Sequence, residues 1–168
     1  MTEARKIVLR DAGTADIPAL AALHVRTFRE THGGGPDAAV RERQWRAKFA
    51  SGQLLFCVVL ETGPGELVGF ASGEPHGGGE PAGFQGELNK IYLLREFQRR
   101  GLGRRLLCAA SHRFIQRGVS SMFLFGDAES PTNGFYEAMG GERLYTSQGE
   151  FHGAYGWRDL RALAVAEP

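Results

Sequence analysis

Two glycines flanked by arginines sit where a strand-like run gives way to an amphipathic helix, and this junction constrains the chain more than any other segment. The run is Leu88 to Leu94, the junction Gln98-Arg99-Arg100-Gly101-Leu102-Gly103, and the helix Gly101 to Arg117. Leu102, Leu106, Ala110 and Phe114 share one helix face, and Gly118 is a natural stop. N–H groups in the first turn of a helix lack intrahelical partners. With the helix dipole they favour a phosphate, by roughly 0.3–1 kcal/mol per charge for the dipole part. Glycine lets an anion approach the backbone, while Arg99, Arg100, Arg104 and Arg105 add charge on both sides. The segment reads either as an anion cradle or as a basic, solvated turn. It is not a P-loop, because G-x-x-x-x-G-K-[S/T] does not occur. Nor is it a G-x-G-x-x-G fingerprint, because position 106 is Leu106.

The remaining elements surround this junction. Lys6 to Arg10 has strand character. Thr14 or Asp16 can cap a helix that tolerates Pro18 in its first turn and carries Ile17, Leu20, Ala21, His24 and Phe28. Gly33-Gly34-Gly35-Pro36 ends it, and a second, charged helix follows from Asp37 to Phe49. Leu54 to Leu60 and Leu67 to Ala71 read as strands joined by the turn Thr62-Gly63-Pro64-Gly65. Gly73 to Gly86, rich in Gly and Pro, reads as a mobile loop. Ser121 to Phe125, Glu142 to Tyr145 and Ala154 to Leu160 are strand-like, and Pro131 to Met139 is a short helix. This mixed order predicts one α+β layered domain spanning residues 1–168.

Charge and composition narrow the function classes. The formal net charge is +1, so no overall field points to nucleic acid or membrane. No apolar run approaches the ~20 residues of a transmembrane helix, and Met1 to Arg10 lacks a signal-peptide core. Cys57 and Cys108 sit in apolar stretches without a CxxC, which reads as two buried, reduced thiols in a cytoplasmic protein. No grouping has metal-ligand spacing, so no metal is expected.

Gln98-Arg99-Arg100-Gly101-Leu102-Gly103 resembles the Q/R-x-x-G-x-G/A signature of the Gcn5-related N-acetyltransferases (GNAT). Ile91-Tyr92-Leu93 looks like the strand before it. Phe135-Tyr136-Glu137-Ala138-Met139-Gly140-Gly141 resembles the family's F-Y-E-x-x-G segment, and Tyr155 to Leu160 a closing strand. The resemblance covers nearly the whole chain. It implies a central, mixed but mostly antiparallel sheet of six to seven strands, with strands four and five splayed, flanked by about four helices. It also implies acetyl-CoA in the splayed gap, paired along the backbone of Ile91, Tyr92 and Leu93. The pyrophosphate would rest on backbone N–H groups between Gln98 and Arg104, including Arg99, Arg100, Gly101, Leu102 and Gly103. Many members carry an Asn seven residues before the tyrosine. Here Glu129 stands there, followed by Ser130, and Asn133 lies three before Tyr136. Ser130 or Asn133 is therefore the candidate to replace that cofactor contact, the alternatives being that the contact is absent and that Asn133 is a helix-surface or capping residue.

By the same resemblance Tyr136 is the general acid near the cofactor sulfur, the alternative being a core aromatic with a satisfied hydroxyl. Glu87, four residues before Ile91, is the candidate base, with Asp127, Glu129 or a water as alternatives. The resemblance also implies a bulge in strand four, whose N–H groups, that of Leu93 first, could polarise the thioester carbonyl. His32 and His76 could face the acceptor, whereas His24 packs beside the first helix. The implied reaction is direct attack by a primary amine, of a small molecule or a peptide, within a ternary complex. A non-catalytic acyl-CoA sensor on the same fold is the alternative. The acceptor site falls to residues 26–45 and 73–85, where Arg26, Arg29, Glu30 and Glu42 give mixed charge and no preference. Family members often pair as homodimers.

Overall fold

A computed structural model of the protein describes residues 6–164; readings that involve residues 1–5 and 165–168 lie outside the described residues. Seven strands form one sheet: β1 (Val8–Asp11), β2 (Phe56–Gly63), β3 (Glu66–Pro75), β4 (Gly86–Leu93), β5 (Met122–Leu124), β6 (Glu142–Tyr145) and β7 (Phe151–Trp157). Their order is β1-β2-β3-β4-β5-β7-β6, antiparallel throughout except for the parallel β4–β5 pair. The helices are α1 (Ile17–His32), α2 (Ala38–Ala50), α3 (Leu102–Gln116), α4 (Asn133–Ala138) and α5 (Arg161–Ala164).

The apolar spacing of α1 buries Ile17, Leu20, Ala21 and His24, and the helix packs on β3 and β4. Gly33, left-handed at φ 80°, stops it. Asp37 begins α2, its carboxylate accepting from the Val40 N–H at 3.0 Å. On the opposite face α3 packs against β2, β3 and β4, with Leu106, Leu107 and Phe114 fully buried. Asp16 does precede α1, but its carboxylate turns to the Gly13 N–H and to Arg10 instead of capping the helix.

The expected loop over 73–86 is shorter than its composition implies. β3 continues to Pro75 and β4 starts at Gly86, so Glu74 pairs with Glu87 and Pro75 with Gly86. Gly73 and Gly86 are there to make room, not to bend. A Cβ on Gly73 would stand 2.6 Å from the Phe114 ring, and one on Gly86 also 2.6 Å from it. Residues 76–85 form the true connection, closed by the His76 N–H donating to the Gln85 carbonyl at 2.8 Å. The last strand also shifts: β7 begins at Phe151 rather than Ala154 and ends at Trp157, and the short α5 follows from Arg161.

Candidate active site

The site begins where β4 and β5 part. They pair only at Gly86–Met122 and Glu87–Phe123, after which β5 stays with β7 and β4 with β3. Glu87 therefore stands at the vertex of a V whose β4 arm runs from Leu88 to Leu93, roughly 20 Å of extended chain. The Leu94 N–H donates to the Val68 carbonyl at 3.0 Å on β3. Because peptide groups alternate along a strand, Tyr92 also faces β3, while Ile91 and Leu93 turn theirs to the open side. The Leu93 carbonyl accepts from the Gln98 side-chain amide at 3.2 Å, which ties the glycine-arginine junction to this arm.

The wide mouth of the V ends on that junction. Arg99 (φ 62°) and Gly101 (φ 78°) are both left-handed, a backbone curl of the kind that makes an anion nest. At the start of α3 the Arg105 N–H donates to the Gly101 carbonyl at 3.1 Å, so the N–H groups of Leu102 and Gly103 lie in the turn before the helical ladder begins. Gln98 to Gly101 are exposed, whereas the Leu102 side chain is buried. Arg100 stacks 5.3 Å over the Phe97 ring beside the nest. Arg105 serves another purpose, donating to the Ile7 carbonyl at 3.1 Å.

Three consecutive residues of α4 have separate tasks. Phe135 receives the first turn of α3, where a Cβ on Gly103 would lie 3.4 Å from its ring. Tyr136 is buried against Tyr155 and Trp157, with ring centroids 5.6 and 6.2 Å away. Glu137 accepts from the Tyr155 hydroxyl at 2.9 Å, and the Trp157 indole donates to the Met139 carbonyl at 3.1 Å, fastening α4 to β7. Burial, and then Tyr92 across the gap, push the Tyr136 phenol up to about 12. Asn133 donates twice, to the carbonyls of Asp127 and Ala128, each at 3.0 Å. Its Oδ1 is buried and has no partner. Ser130 is spent locally, on Thr132 and its own turn.

The α1–α2 face of β4 holds residues that sequence reasoning missed. Ser72 pairs with Lys90 but Gly73 with Leu88, so Asn89 is an extra, bulged residue. The bulge puts Glu87, Lys90 and Tyr92 on one face, and places Asn89 between two of them. Its amide donates to Glu87 Oε2 at 2.9 Å and its carbonyl accepts from Lys90 Nζ at 2.6 Å. Lys90 also lies 5.5 Å over the Trp45 ring. Burial lowers the lysine's pKa, and Lys48 adds to that. Lys48 itself is paired with Glu74. His24 packs beside α1 as expected, its Nδ1 accepting from the Trp45 indole at 3.2 Å. Burial, then the charges of Arg41 and Lys90, hold it neutral, its pKa pulled down to about 3. His76 meets the Phe123 ring edge-on at 4.7 Å, next to the vertex, and His32 lies tilted against Phe28 at 4.3 Å. Cys57 and Cys108 are buried and form no disulfide. Among the described residues no group of His, Cys, Asp and Glu could hold a metal, and no helix is long and apolar enough to cross a membrane.

A sheet split around an exposed peptide edge, an anion nest at its mouth and a dry tyrosine across the gap define an acyltransferase built for a nucleotide-linked acyl donor. Comparison with known proteins agrees. Residues 17–140 match the model of the acetyltransferase (GNAT) family. The chain is 35% identical, over 167 residues, to the Bacillus subtilis (strain 168) protein described as uncharacterized N-acetyltransferase YuaI, covering 94% of this chain and 96% of that one. Two solved structures share the fold. PaiA N-acetyltransferase from Thermoplasma acidophilum in complex with coenzyme A has TM-score 0.65 at 18% identity, over 90% of this chain and 98% of that one. The GNAT family N-acetyltransferase YhbS from Escherichia coli in complex with CoA has TM-score 0.68 at 17% identity, over 97% and 87%. The chain belongs to the GNAT acetyltransferase family, the acetyl-CoA-dependent N-acyltransferases.

Proposed function

We propose that residues 1–168 form a single N-acetyltransferase domain that moves an acetyl group from acetyl-CoA to a primary amine of a small molecule or protein, by direct attack in a ternary complex. The observation that carries this reading is the continuous track from the Gln98–Gly103 nest, along the open peptide edge of Ile91 and Leu93, to the vertex at Glu87. The buried Oδ1 of Asn133, which has no partner, fits an amide N–H of an acyl-CoA arm. Acetyl-CoA supplies the activated acyl group and a thiol leaving group. Backbone N–H groups of Leu102, Gly103 and Arg104 hold the pyrophosphate, with Arg99 and Arg100 adding charge. Ile91 and Leu93 pair with the pantetheine arm as a strand edge would. Tyr92 lines the gap with its ring.

Glu87 takes the ammonium proton, directly or through a water. Freeing the lone pair of an alkylamine at pH 7 costs about 4 kcal/mol, so a positioned base matters. Tyr136 holds the proton for the departing sulfur. A phenol near 12 would be a poor acid toward an ordinary thiolate of about 8.5, but dry surroundings raise thiols as well. Cys57, buried elsewhere in this fold, is pushed up to about 12. A sulfur leaving in surroundings as dry as these would be comparably basic. The two reduced, buried cysteines suit a cytoplasmic setting.

The test is calorimetric binding of acetyl-CoA together with CoA release across polyamines, amino acids, aminoglycosides and peptide N-termini. Binding plus turnover is expected. In Tyr136→Phe, turnover should fall by about 10²-fold or more with acetyl-CoA affinity kept. A wild type that binds the donor and never turns over would instead be an acyl-CoA sensor.

A further inference from the structure

Arg41 is the least explained charge in the protein. It is only 8% exposed, yet among the described residues no carboxylate pairs with it. Nη1 donates to the Gln44 Oε1 at 3.0 Å, the guanidinium lies 4.7 Å over the Phe28 ring, and Nε is buried without a partner. Burial lowers its pKa. A ring face compensates a buried guanidinium far less than a carboxylate does. The unused Nε edge of an arginine is a two-point fork that matches the two oxygens of a carboxylate. Lys90 stands beside it on β4 and likewise forms no ion pair among the described residues, its Nζ being held by Asn89. His24 is neutral, and the nearby carboxylates of Glu74 and Glu87 act on Lys90, which leaves Arg41 as the charge without a carboxylate partner among the described residues. Arg41 and Lys90 lie on the face of β4 that also carries Glu87 and Tyr92. The opposite face is filled by α3, so an acceptor reaching the vertex must cross this one.

We infer that the acceptor is an amine that also bears a carboxylate, held by the Nε edge of Arg41 with Lys90 beside it. This rests on the acetyltransferase reading above. The carboxylate completes the guanidinium that the fold leaves unpaired, displacing part of its stacking on Phe28. The amine of the same molecule then points toward Glu87. Arg41 therefore selects the acceptor, while Glu87 and Tyr136 act on whatever amine is bound.

The experiment compares α- and ω-amino acids of two to six carbons with their carboxamides on the protein saturated with acetyl-CoA. For turnover, acids should exceed their carboxamides by about 30-fold or more in kcat/KM. Arg41→Gln should reduce that ratio to within about threefold by raising KM for the acids alone, and Arg41→Lys should restore part of it. Thermal melts of each variant and its calorimetric affinity for acetyl-CoA establish that the fold and donor site persist. In parallel, the CoA-bound protein is titrated calorimetrically with the same acids and amides, which reads the subsite without turnover. Acid-selective binding that Arg41→Gln abolishes supports the inference even if no amine is acetylated, in which case only the acetyltransferase reading falls. Equal binding and use of acids and amides, no binding of any acid, or acid preference that survives Arg41→Gln overturns it.

Discussion

Glu87 and Lys90 are three residues apart, yet their side chains share one face of the sheet because Asn89 is bulged between them. In an unbroken strand they would point to opposite sides. The bulge also makes Asn89 the bridge, donating to Glu87 and accepting from Lys90. Glu87→Gln keeps the size and an oxygen for Asn89 but removes the base. Turnover should fall by about 10²–10⁴-fold, with acetyl-CoA affinity within about twofold of the wild type, since the vertex carboxylate touches no part of the nest. Steady-state kinetics and calorimetry read the two quantities. An unchanged kcat would transfer the base to Asp127, Glu129 or a water.

Tyr136 makes a pH prediction. Its phenol, raised to about 12 by burial, keeps its proton throughout the range in which an ordinary tyrosine loses it near 10. The protonated form is the acid, so a raised pKa preserves activity on the alkaline side. With a saturating amine, kcat should show no tyrosine-dependent fall up to about pH 10.5. A descending limb with an apparent pKa of 9–10 that disappears in Tyr136→Phe would show a solvent-reachable phenol instead.

Short-range features were legible in the sequence and long-range ones were not. The Gln98–Gly103 junction is local: its glycines, arginines and helix start stand in one run, and the structure gives Arg99 and Gly101 left-handed backbone there. The Phe135-Tyr136-Glu137 run was legible as a motif, but its division of labour depends on α3 and β7, which come from elsewhere. Gly73 and Gly86 looked like loop residues because composition does not distinguish a flexible glycine from one that clears space for Phe114. The family resemblance implies a bulge in strand four, but the residue pattern does not locate it at Asn89, where it turns Lys90 to the side of Glu87. Arg41 belongs to the charged second helix, and it is the packing of α1 on α2 that buries it.

The reading of Gly73 as a space-maker is itself testable. A methyl group there would lie 2.3 Å from the Phe56 ring and 2.6 Å from Phe114, two rings in edge contact at 4.9 Å. Neither ring can withdraw, since both are buried. Gly73→Ala should therefore destabilise by about 1–3 kcal/mol, the usual penalty for overpacking, lowering Tm by roughly 3–10 °C in a domain of this size. Adding Phe114→Leu should recover part of the loss. A neutral Gly73→Ala in a thermal melt would mean that the β3–β4 edge yields more easily than its packing implies.

The Arg10 guanidinium joins Asp16 and Glu61, at 2.8 and 2.9 Å, and so fastens β1 to the start of α1 and to β2. Arginine is the main cause that lowers the Asp16 carboxyl from 3.8 to about 2, helped by the Gly13 N–H. A carboxyl whose folded pKa is depressed binds protons more weakly when folded. Its stabilisation is complete above the unfolded value of 3.8 and disappears as pH falls from there through about 2. Solvent reaches the pair, so the contribution is about 1 kcal/mol rather than the full linkage value. Asp16→Asn should lower the urea-unfolding free energy by about that amount at pH 7. The gap between variant and wild type should narrow from pH 5 to pH 3, because only the wild type has a proton to gain. A gap that stays constant over that range would assign the effect to packing, and a gap that widens would reverse the sign of the linkage.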